Sequence, residues 1–314
     1  MKKILSLLFA TCLTALCVSC NKDSDNNSTT PTPVNPSGGD TYTEGVYHPS
    51  KKISKVTETA LNSYYDETDV TIKVEKWTWG ENDLQKVTYY DTYDGEEFFN
   101  TFTTFTYDNK SRISRVVYLD GAYLEYNYDG NKLKEVNYIE GGSLVTKYTI
   151  TYTNGKVTKI EEFFNNDYKQ GSVGRDFRAM QLVLGKELAK IVSDGFRRHP
   201  SKSDDKGNTV YTMDFTWNNG NITNIEYSSV SDGEDWRENI TLEYDTYNNP
   251  YYNCFWVWEG VLKLSKNNCK KVYGSYDNTY FYYEYTYTGN YPQAQRYYRE
   301  NGDLVNVVEY EYVE

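Results

Sequence analysis

The chain has 314 residues, of which 45 are acidic and 33 basic, so its net charge is −12 at pH 7. A surface this acidic repels nucleic acid and anionic lipid, and neither is expected as a partner. The chain contains 34 tyrosines beside only seven prolines and three methionines. This composition favours a strand-rich fold with a limited core, because aromatic and β-branched side chains suit pleated, half-buried surfaces.

The N-terminus predicts an export signal with a lipid-attachment site. Lys2 and Lys3 precede an apolar run, residues 4–18, that is shorter than the ~20 residues needed to cross a bilayer. The small residue Ser19 comes directly before Cys20, which is what a lipoprotein signal peptidase requires. We therefore expect residues 1–19 to be cleaved and Cys20 to be acylated, which would anchor the chain to a membrane. An uncleaved anchor and an ordinary secretory signal are the alternatives.

Residues 21–25, Asn-Lys-Asp-Ser-Asp, follow the predicted lipidation site. They resemble the signal that sends Bacteroidetes lipoproteins to the outer face of the outer membrane, in which a Lys is closely followed by acidic residues. The resemblance implies a lipid-anchored protein that faces the cell exterior. The next residues are Asn, Ser, Thr, Pro and Gly with almost no apolar side chain, so 20–45 should form a disordered tether. A single tyrosine-rich β domain, 46–314, is expected after it.

A short repeat runs through the predicted β domain. An alternating, usually aromatic strand leads to a tight turn with Asp, Asn or Gly, and two apolar residues three positions apart follow. The alternation predicts β-strands, and Asn154–Gly155 and Asn219–Gly220 are typical of two-residue hairpin turns. The offset of three breaks the period of two, so either a β-bulge follows each turn or the first apolar side chain packs beneath it. The eight apolar pairs are Ile53/Val56, Leu84/Val87, Ile113/Val116, Leu133/Val136, Val157/Ile160, Ile222/Ile225, Cys269/Val272 and Leu304/Val307.

Two inserts interrupt the repeat. In the first, apolar residues recur every three or four positions between Phe177 and Ile191, which predicts an amphipathic helix over about 176–194. Asp194–Gly195 would end this helix. The second insert, Tyr251–Leu264, is too apolar to remain in solvent, so it should fold over an end of the sheet structure.

Successive turns near residues 120, 129, 141 and 154 enclose one strand each and predict an all-β, antiparallel up-and-down meander of about sixteen strands. A meander this long must close into a barrel or form a strongly curved sheet, because a flat sheet would expose two open edges. The two inserts would then plug the hollow. Charged and Asn residues punctuate the strands and no lipid-facing apolar band is visible, so a membrane-spanning barrel is not expected.

The repeat resembles a degenerate YD repeat, in which a Tyr-Asp pair closes a strand before a Gly-containing turn. Tyr107–Asp108, Tyr128–Asp129 and Tyr244–Asp245 match this pattern. Three stretches are more specific, and they are Leu242–Asp245, Asn248–Tyr251 and Leu264–Asn268. Together with the leader, they resemble a Bacteroidetes cell-envelope lipoprotein family of unknown function with a porin-like fold. The resemblance covers roughly residues 46–314, implies a barrel-like architecture and an envelope location, and carries over no catalytic residue.

No catalytic, metal-binding or cofactor-binding constellation emerges from the sequence. His48 and His199 are the only histidines, so neither a metalloprotease pair nor a Ser-His-Asp or Cys-His set can be assembled. After processing, Cys254 and Cys269 would remain. They would either form a disulfide in an oxidising envelope or stay as two buried thiols.

Four aromatic residues of the second insert are the candidate ligand-binding residues, and they are Tyr251, Tyr252, Trp256 and Trp258. Exposed rings on a long loop suit stacking on sugars, whereas rings that plug a barrel end would serve packing. The favoured function is a non-catalytic binding or scaffold protein for a glycan or an envelope partner. A polysaccharide-acting hydrolase is the alternative and would need two carboxylates about 5–10 Å apart in a cleft. A purely structural envelope protein is the third possibility.

Overall fold

The structure is a computed structural model that describes residues 49–61, 70–164, 184–185, 188–189, 192, 210–231, 234–252, 260–274 and 280–314. For residues 164, 210, 229–231 and 234–236 only the backbone is described. All of these residues belong to one unit, Tyr42–Glu314. The expected signal peptide, Cys20 and the tether lie outside the described residues and stay predictions.

Sixteen strands follow one another in the described residues. Each pairs antiparallel with the next, and the first also pairs with the last, so the sheet closes into a barrel. The predicted all-β up-and-down meander is therefore confirmed, and the barrel, not the open curved sheet, is the correct alternative. The strands are β1 Ile53–Leu61, β2 Val70–Trp79, β3 Leu84–Tyr93, β4 Glu96–Tyr107, β5 Ile113–Tyr118, β6 Tyr123–Asp129, β7 Lys132–Glu140, β8 Ser143–Thr153, β9 Lys156–Phe164, β10 Val210–Asn218, β11 Asn221–Ser231, β12 Glu234–Asn248, β13 Asn267–Gly274, β14 Tyr280–Thr288, β15 Tyr291–Arg299 and β16 Leu304–Tyr312.

β-Bulges at one end of the barrel explain the paired apolar residues. In β3 the register shifts just after Leu84, so Gln85 is an extra residue opposite β2. The extra residue moves the alternation by one position, and as a result both Leu84 and Val87 point inward and are fully buried. We call this end, which also holds the start of β1 and the end of β16, the bulged end. The described chain repeats the shift after Ile53, Ile113, Leu133, Val157, Ile222, Cys269 and Pro292.

The predicted repeat is wrong at its last copy. Leu304 and Val307 were expected to face the core, but in β16 Tyr310 belongs to the core and Val305, Val308 and Tyr312 pack against it. The register shift of β16 leaves Val305 as the extra residue at the end of the barrel opposite the bulged end, so the pattern of the bulged end does not apply to this strand. The eighth register shift at the bulged end follows Pro292 in β15. It escaped the sequence pattern because no apolar pair marks it.

The hairpin turns have the conformation that their sequences predict. Asn154 and Gly155 both adopt positive φ, at 53° and 74°, and Asn219 and Gly220 do the same, at 49° and 81°. Two consecutive positive φ values define the tight turn whose twist matches that of the flanking strands. Asn and Gly adopt positive φ more readily than other residues. The Asn-Gly turns therefore fix where the flanking strands end and how they pair beside the bulges.

The inward-facing side chains of the barrel form one hydrophobic core. Leu184 and Leu188 of the first insert are each 1% exposed, and they belong to the same cluster as the inward-facing strand residues. This insert connects β9 to β10 at the end opposite the bulged end. Even so, its Gly185 packs against Gly260 of the second insert, which connects strands at the bulged end. The first insert therefore reaches into the barrel, in agreement with its predicted role as a plug.

The predicted helix over 176–194 is not continuous. Leu184, Leu188, Ala189 and Val192 are helical, but Gly185 is not, because its φ is +80°. The N–H of Ala189 donates to the Gly185 carbonyl oxygen at 3.0 Å, so a new helical turn begins at this glycine. A Cβ added at Gly185 would lie 3.3 Å from the Gly260 Cα, so a side chain here would crowd the second insert. The predicted stop at Asp194–Gly195 lies outside the described residues.

Candidate functional site

A ring of aromatic side chains, which we call the aromatic girdle, closes the bulged end. In the described chain, seven aromatic side chains each donate a hydrogen bond to the carbonyl oxygen of a residue that stands at a bulge on the preceding strand. The turns at this end join each even-numbered strand to the one after it, so turns and side-chain bonds alternate around the rim. The donors and acceptors are Trp79 to Ile53 (2.6 Å), Tyr107 to Leu84 (2.6 Å), Tyr128 to Ile113 (2.7 Å), Tyr152 to Leu133 (2.9 Å), Trp217 to Val157 (2.6 Å), Tyr285 to Cys269 (2.8 Å) and Tyr312 to Pro292 (2.7 Å).

Ser265 bridges the eighth position of the girdle. Its hydroxyl donates to the Tyr244 hydroxyl oxygen and accepts from the Ile222 N–H, both at 3.0 Å. Burial raises the pKa of Tyr244 well above its ordinary value. The sequence signal for the girdle was an aromatic residue near the end of the even-numbered strands. The spacing did not reveal that its hydrogen-bond partner is a backbone carbonyl oxygen on the preceding strand.

The three stretches that carry the family resemblance form a polar clasp around the second insert. Asn249 donates to the carbonyl oxygens of Leu262 and Ser265, at 3.2 and 2.9 Å. Asn221 and Asn267 bond each other twice at 3.0 Å and so tie the clasp to the neighbouring hairpin. These hydrogen bonds hold the two ends of the second insert in place, which is a structural role.

Asp245 completes the polar clasp on its outer side. Its carboxylate accepts the backbone N–H of Tyr247 at 2.9 Å and that of Asn268 at 3.2 Å. The Tyr287 hydroxyl also donates to Asp245, and the rings of Tyr247 and Tyr287 stack with centroids 3.9 Å apart. Burial and the Asp245 carboxylate raise the pKa of Tyr287 well above its ordinary value.

The structure separates the two described members of the predicted aromatic site. The half-buried ring of Tyr251 has its centroid 6.0 Å from those of Trp77 and Tyr310, so Tyr251 packs onto the girdle end of the core. Tyr252 is 42% exposed. Trp256 and Trp258 lie outside the described residues, and their role stays a prediction. Tyr252 is thus the described residue of this set that remains accessible to a ligand.

Cys269 is a buried free thiol on β13. Its Sγ donates to the Lys271 carbonyl oxygen at 3.6 Å, and burial raises the pKa of the thiol to about 12. Cys254 lies outside the described residues, so the predicted pairing of the two cysteines stays a prediction.

Two buried glutamates face the barrel interior, and the sequence analysis did not single them out. Glu162 on β9 is 0% exposed and Glu238 on β12 is 1% exposed. Glu162 pairs across strands with Tyr148 and Tyr211, whereas Glu238 pairs with Tyr227. Burial and the charge of Glu162 raise the pKa of Tyr148 well above its ordinary value. Three strand intervals, on the order of 14 Å, separate the two glutamates along the sheet.

The described residues include no group of three or more His, Cys, Asp or Glu side chains placed to hold a metal ion. Within the same residues, no helix has both the length and the apolar character needed to cross a membrane.

These features define a closed, sixteen-stranded antiparallel barrel with a hydrophobic core and an aromatic girdle at one end. The fold is similar to the crystal structure of a porin-like protein from Bacteroides uniformis. The TM-score is 0.52 at 11% identity, and the match covers 87% of this chain and 100% of that chain. A porin-like protein from Bacteroides vulgatus matches with a TM-score of 0.48 at 9% identity, over 84% of this chain and 99% of that one. No model of a protein family matches the chain, and no curated protein matches its sequence.

Proposed function

We propose that the chain is an outer-membrane lipoprotein, anchored through Cys20 and facing the cell exterior. Its barrel acts as a non-catalytic binding or scaffold domain for a glycan or another envelope protein. The single observation that carries this function is the hydrophobic core inside the barrel, which inward-facing strand residues and the first insert share. Recognition must then use the outer face and the loops, where Tyr252 is exposed beside the polar clasp. The porin-like fold supports an envelope location.

The buried carboxylates favour binding over hydrolysis. A hydrolase of the expected kind needs two carboxylates about 5–10 Å apart and open to substrate. Glu162 and Glu238 are enclosed by the core and lie three strands apart. The packing of Tyr251 against Trp77 supports a structural role for that ring, which leaves Tyr252 as the described candidate for sugar stacking.

A glycan array tests the binding proposal. The protein would be the chain from residue 21 onward, which keeps the tether and all sixteen strands and lacks Cys20. Glycans that bind the wild type should bind the Tyr252→Ala variant at least tenfold more weakly, because the tyrosine ring no longer stacks on a sugar face. Tyr93→Ala is the matched control, since Tyr93 is 64% exposed at the opposite end of the barrel. A flat array, or equal losses in the two variants, would overturn the assignment of Tyr252 to glycan binding.

Metabolic labelling tests the anchor separately. Cells expressing the full chain should incorporate labelled palmitate into the protein, and Cys20→Ser should abolish the label. Protease added to intact cells should then degrade the wild-type domain if it faces the exterior. A labelled protein that resists protease until the outer membrane is opened would contradict surface display, and an unlabelled wild type would contradict the anchor.

A further inference from the structure

A row of tyrosines follows one face of β14 towards the bulged end. Tyr283, Tyr285 and Tyr287 alternate along this strand, so their side chains share that face. Successive ring centroids in the row are 6.3 and 5.9 Å apart. Both separations lie in the contact range of aromatic pairs, so each ring is in contact with the next.

One further tyrosine extends the row at each end. In the core, Tyr297 of β15 pairs with Tyr283, and their ring centroids are 5.4 Å apart. These two side chains are only 9% and 8% exposed. At the other end, Tyr247 stacks on Tyr287 with centroids 3.9 Å apart and is 40% exposed. The five tyrosines, which we call the tyrosine column, therefore connect the barrel core to the surface of the bulged end.

The carboxylate of Asp245 gives Tyr287 a proton acceptor. The Tyr287 hydroxyl donates to Asp245 Oδ2, while Oδ1 accepts the backbone N–H groups of Tyr247 and Asn268. Two backbone groups of the polar clasp thus hold the carboxylate against the hydroxyl. Burial and the Asp245 carboxylate raise the pKa of Tyr287 well above its ordinary value, so the resting side chain is a neutral phenol.

Tyr285, the next ring towards the core, has a partner that takes up no proton. Its hydroxyl donates to the Cys269 carbonyl oxygen at 2.8 Å, and a backbone carbonyl is protonated only in strong acid. A phenol that has lost an electron is itself a strong acid. Oxidised Tyr287 is therefore stabilised by proton transfer to Asp245, whereas oxidised Tyr285 gains no such stabilisation. The missing electron, or hole, is lowest in energy near the exposed end of the column.

We propose that the tyrosine column carries oxidising equivalents out of the barrel core and delivers them to the surface at Tyr247. A one-electron oxidant, such as a hydroxyl or carbonate radical, removes one electron from a core tyrosine. Electrons then pass inward from ring to ring, and the hole ends as the tyrosyl radical of Tyr287 with the phenol proton on Asp245. A small reductant of the thiol or ascorbate class returns one electron through exposed Tyr247, and the proton goes back to Tyr287.

The column lies beside a group that the folded barrel needs in its reduced form. Cys269 is a buried free thiol, and its carbonyl oxygen accepts the hydroxyl of Tyr285. Oxidation of this thiol to a sulfenic or sulfinic acid would place a polar group in the core. A hole that moves to Tyr287 instead leaves the thiol intact. This role goes beyond the proposed binding function and does not depend on it.

A second pair of tyrosine and carboxylate provides a matched control. The Tyr273 hydroxyl donates to Glu243 Oε1 at 2.9 Å, and the ring of Tyr273 lies 5.8 Å from that of Tyr280. Val272 and Phe281, the residues beside these two tyrosines, belong to the core, so Tyr273 and Tyr280 face outward. This pair has the same proton acceptor but lies on the opposite face of the sheet from the column.

Radical trapping after irradiation tests the column. The full chain would be frozen and irradiated with gamma rays, which remove electrons throughout the molecule, so access of a dissolved oxidant does not decide where holes begin. Thawing with a nitroso spin trap captures radicals at the surface, and mass spectrometry of peptides counts the adducts at each tyrosine. We expect more adducts at Tyr247 than at Tyr93, although Tyr93 is 64% exposed and Tyr247 only 40%.

Three variants connect this result to the column. Tyr287→Phe keeps the ring and removes the hydroxyl, so adducts at Tyr247 should fall at least threefold while oxidation of Cys269 rises. Asp245→Asn should lower them in the same way, because an asparagine side chain does not take up the proton. Tyr273→Phe should leave the adducts at Tyr247 unchanged. Thermal unfolding of each variant should show an intact barrel.

Two outcomes would overturn the proposal. One is a wild type with fewer adducts at Tyr247 than at Tyr93, which is the order that exposure alone predicts. The other is an equal loss of Tyr247 adducts in Tyr287→Phe and Tyr273→Phe. If the column variants do not fold, the comparison of Tyr247 with Tyr93 in the wild type decides by itself. None of these results bears on glycan binding by Tyr252.

Discussion

The indole Nε1–H of Trp79 donates a 2.6 Å hydrogen bond to the carbonyl oxygen of Ile53. Ile53 also pairs with Tyr312 across the β1–β16 seam, where the two ends of the sheet meet. Tyr312 in turn donates to the carbonyl oxygen of Pro292 at 2.7 Å. Bonds of the aromatic girdle therefore lie on both sides of the closing seam, whereas the seam itself is held by the pairing of β1 with β16.

The girdle makes a first prediction about stability. Tyr152→Phe keeps the ring and removes only the hydroxyl that donates to the Leu133 carbonyl oxygen at 2.9 Å. We expect the free energy of unfolding to fall by about 1–3 kcal/mol, because the carbonyl loses its partner in a half-buried site. Tyr93→Phe, at a 64% exposed position, should change it by less than about 0.5 kcal/mol. Urea unfolding compares the two, and equal losses would contradict the role of the girdle.

The Tyr-Asp motif makes a second prediction. Asp108 Oδ1 accepts the N–H groups of Lys110 and Arg112, and its Oδ2 accepts the Arg112 guanidinium at 2.6 and 2.8 Å. Asp108→Ala should cost about 2–4 kcal/mol at pH 7, because it leaves the buried Arg112 charge without its carboxylate. The exposed Asp129 follows Tyr128 in the same motif, and Asp129→Ala should cost less than about 0.5 kcal/mol.

The contribution of the Asp108–Arg112 ion pair to the free energy of unfolding should change with pH in a defined direction. Burial alone would raise the pKa of Asp108, but the hydrogen bonds from Arg112 and Lys110 outweigh it and hold the pKa below its ordinary value. A lowered pKa contributes stability above the unfolded-state pKa of about 4, and this contribution is lost as the pH falls through the folded-state pKa. The stability difference between wild type and Asp108→Ala should therefore shrink at acid pH. A difference that stays constant down to pH 2 would contradict this account.

Two glycines test how the inserts pack. Gly185 and Gly142 both have φ +80°, so an alanine at either position meets the same backbone strain. At Gly142 the added methyl group meets nothing within 4 Å, whereas at Gly185 it lies 3.3 Å from the Gly260 Cα. We expect Gly185→Ala to cost about 1–3 kcal/mol more than Gly142→Ala in thermal or urea unfolding. Equal costs would show that the first insert does not pack as the structure has it.

The buried tyrosines predict a loss of stability at alkaline pH. Burial, assisted by neighbouring charges, raises the pKa of Tyr148 and Tyr285 well above the ordinary value. A raised pKa contributes stability that is fully present below the unfolded-state pKa of about 10 and is lost as the pH rises towards the folded-state pKa. The free energy of unfolding should therefore fall steeply above pH 10. Tyr148→Phe should reduce that slope, and an unchanged slope would rule out its contribution.

The thiol of Cys269 should be inert while the barrel is folded. Because burial raises its pKa to about 12, almost no thiolate is present at pH 8. Iodoacetamide at pH 8 should leave the residue unmodified in the native protein and alkylate it after unfolding without reductant. Mass spectrometry of the peptides reads both states. Rapid native labelling would contradict the buried thiol, and resistance after unfolding would instead indicate the disulfide with Cys254.

The periodicity of the sequence predicted most of the secondary structure, because strands and two-residue turns depend on residues that are close in the chain. The alternation predicted the strands, Asn-Gly pairs predicted the turns, and the apolar offset of three predicted a bulge as one of two alternatives. The first insert was harder to read. Its helical period was correct at Leu184 and Leu188, but the helix is interrupted at Gly185, which lies close to Gly260, 75 positions away, and no local pattern contains that contact.

The amino-acid sequence by itself determined an all-β meander, with Cys20 predicted as its anchor, because local periodicity and short motifs express those features. Only the tertiary structure decided that Ile53 meets Tyr312 to close a barrel and that Tyr251 packs inward while Tyr252 stays exposed. It also decided that scattered apolar residues such as Tyr123 and Ile139 become neighbours on the outer rim. Strand register and barrel closure decide which side of the sheet a side chain faces and which side chains are its neighbours. Both bring together residues that are far apart in the chain, so no local sequence pattern predicts them.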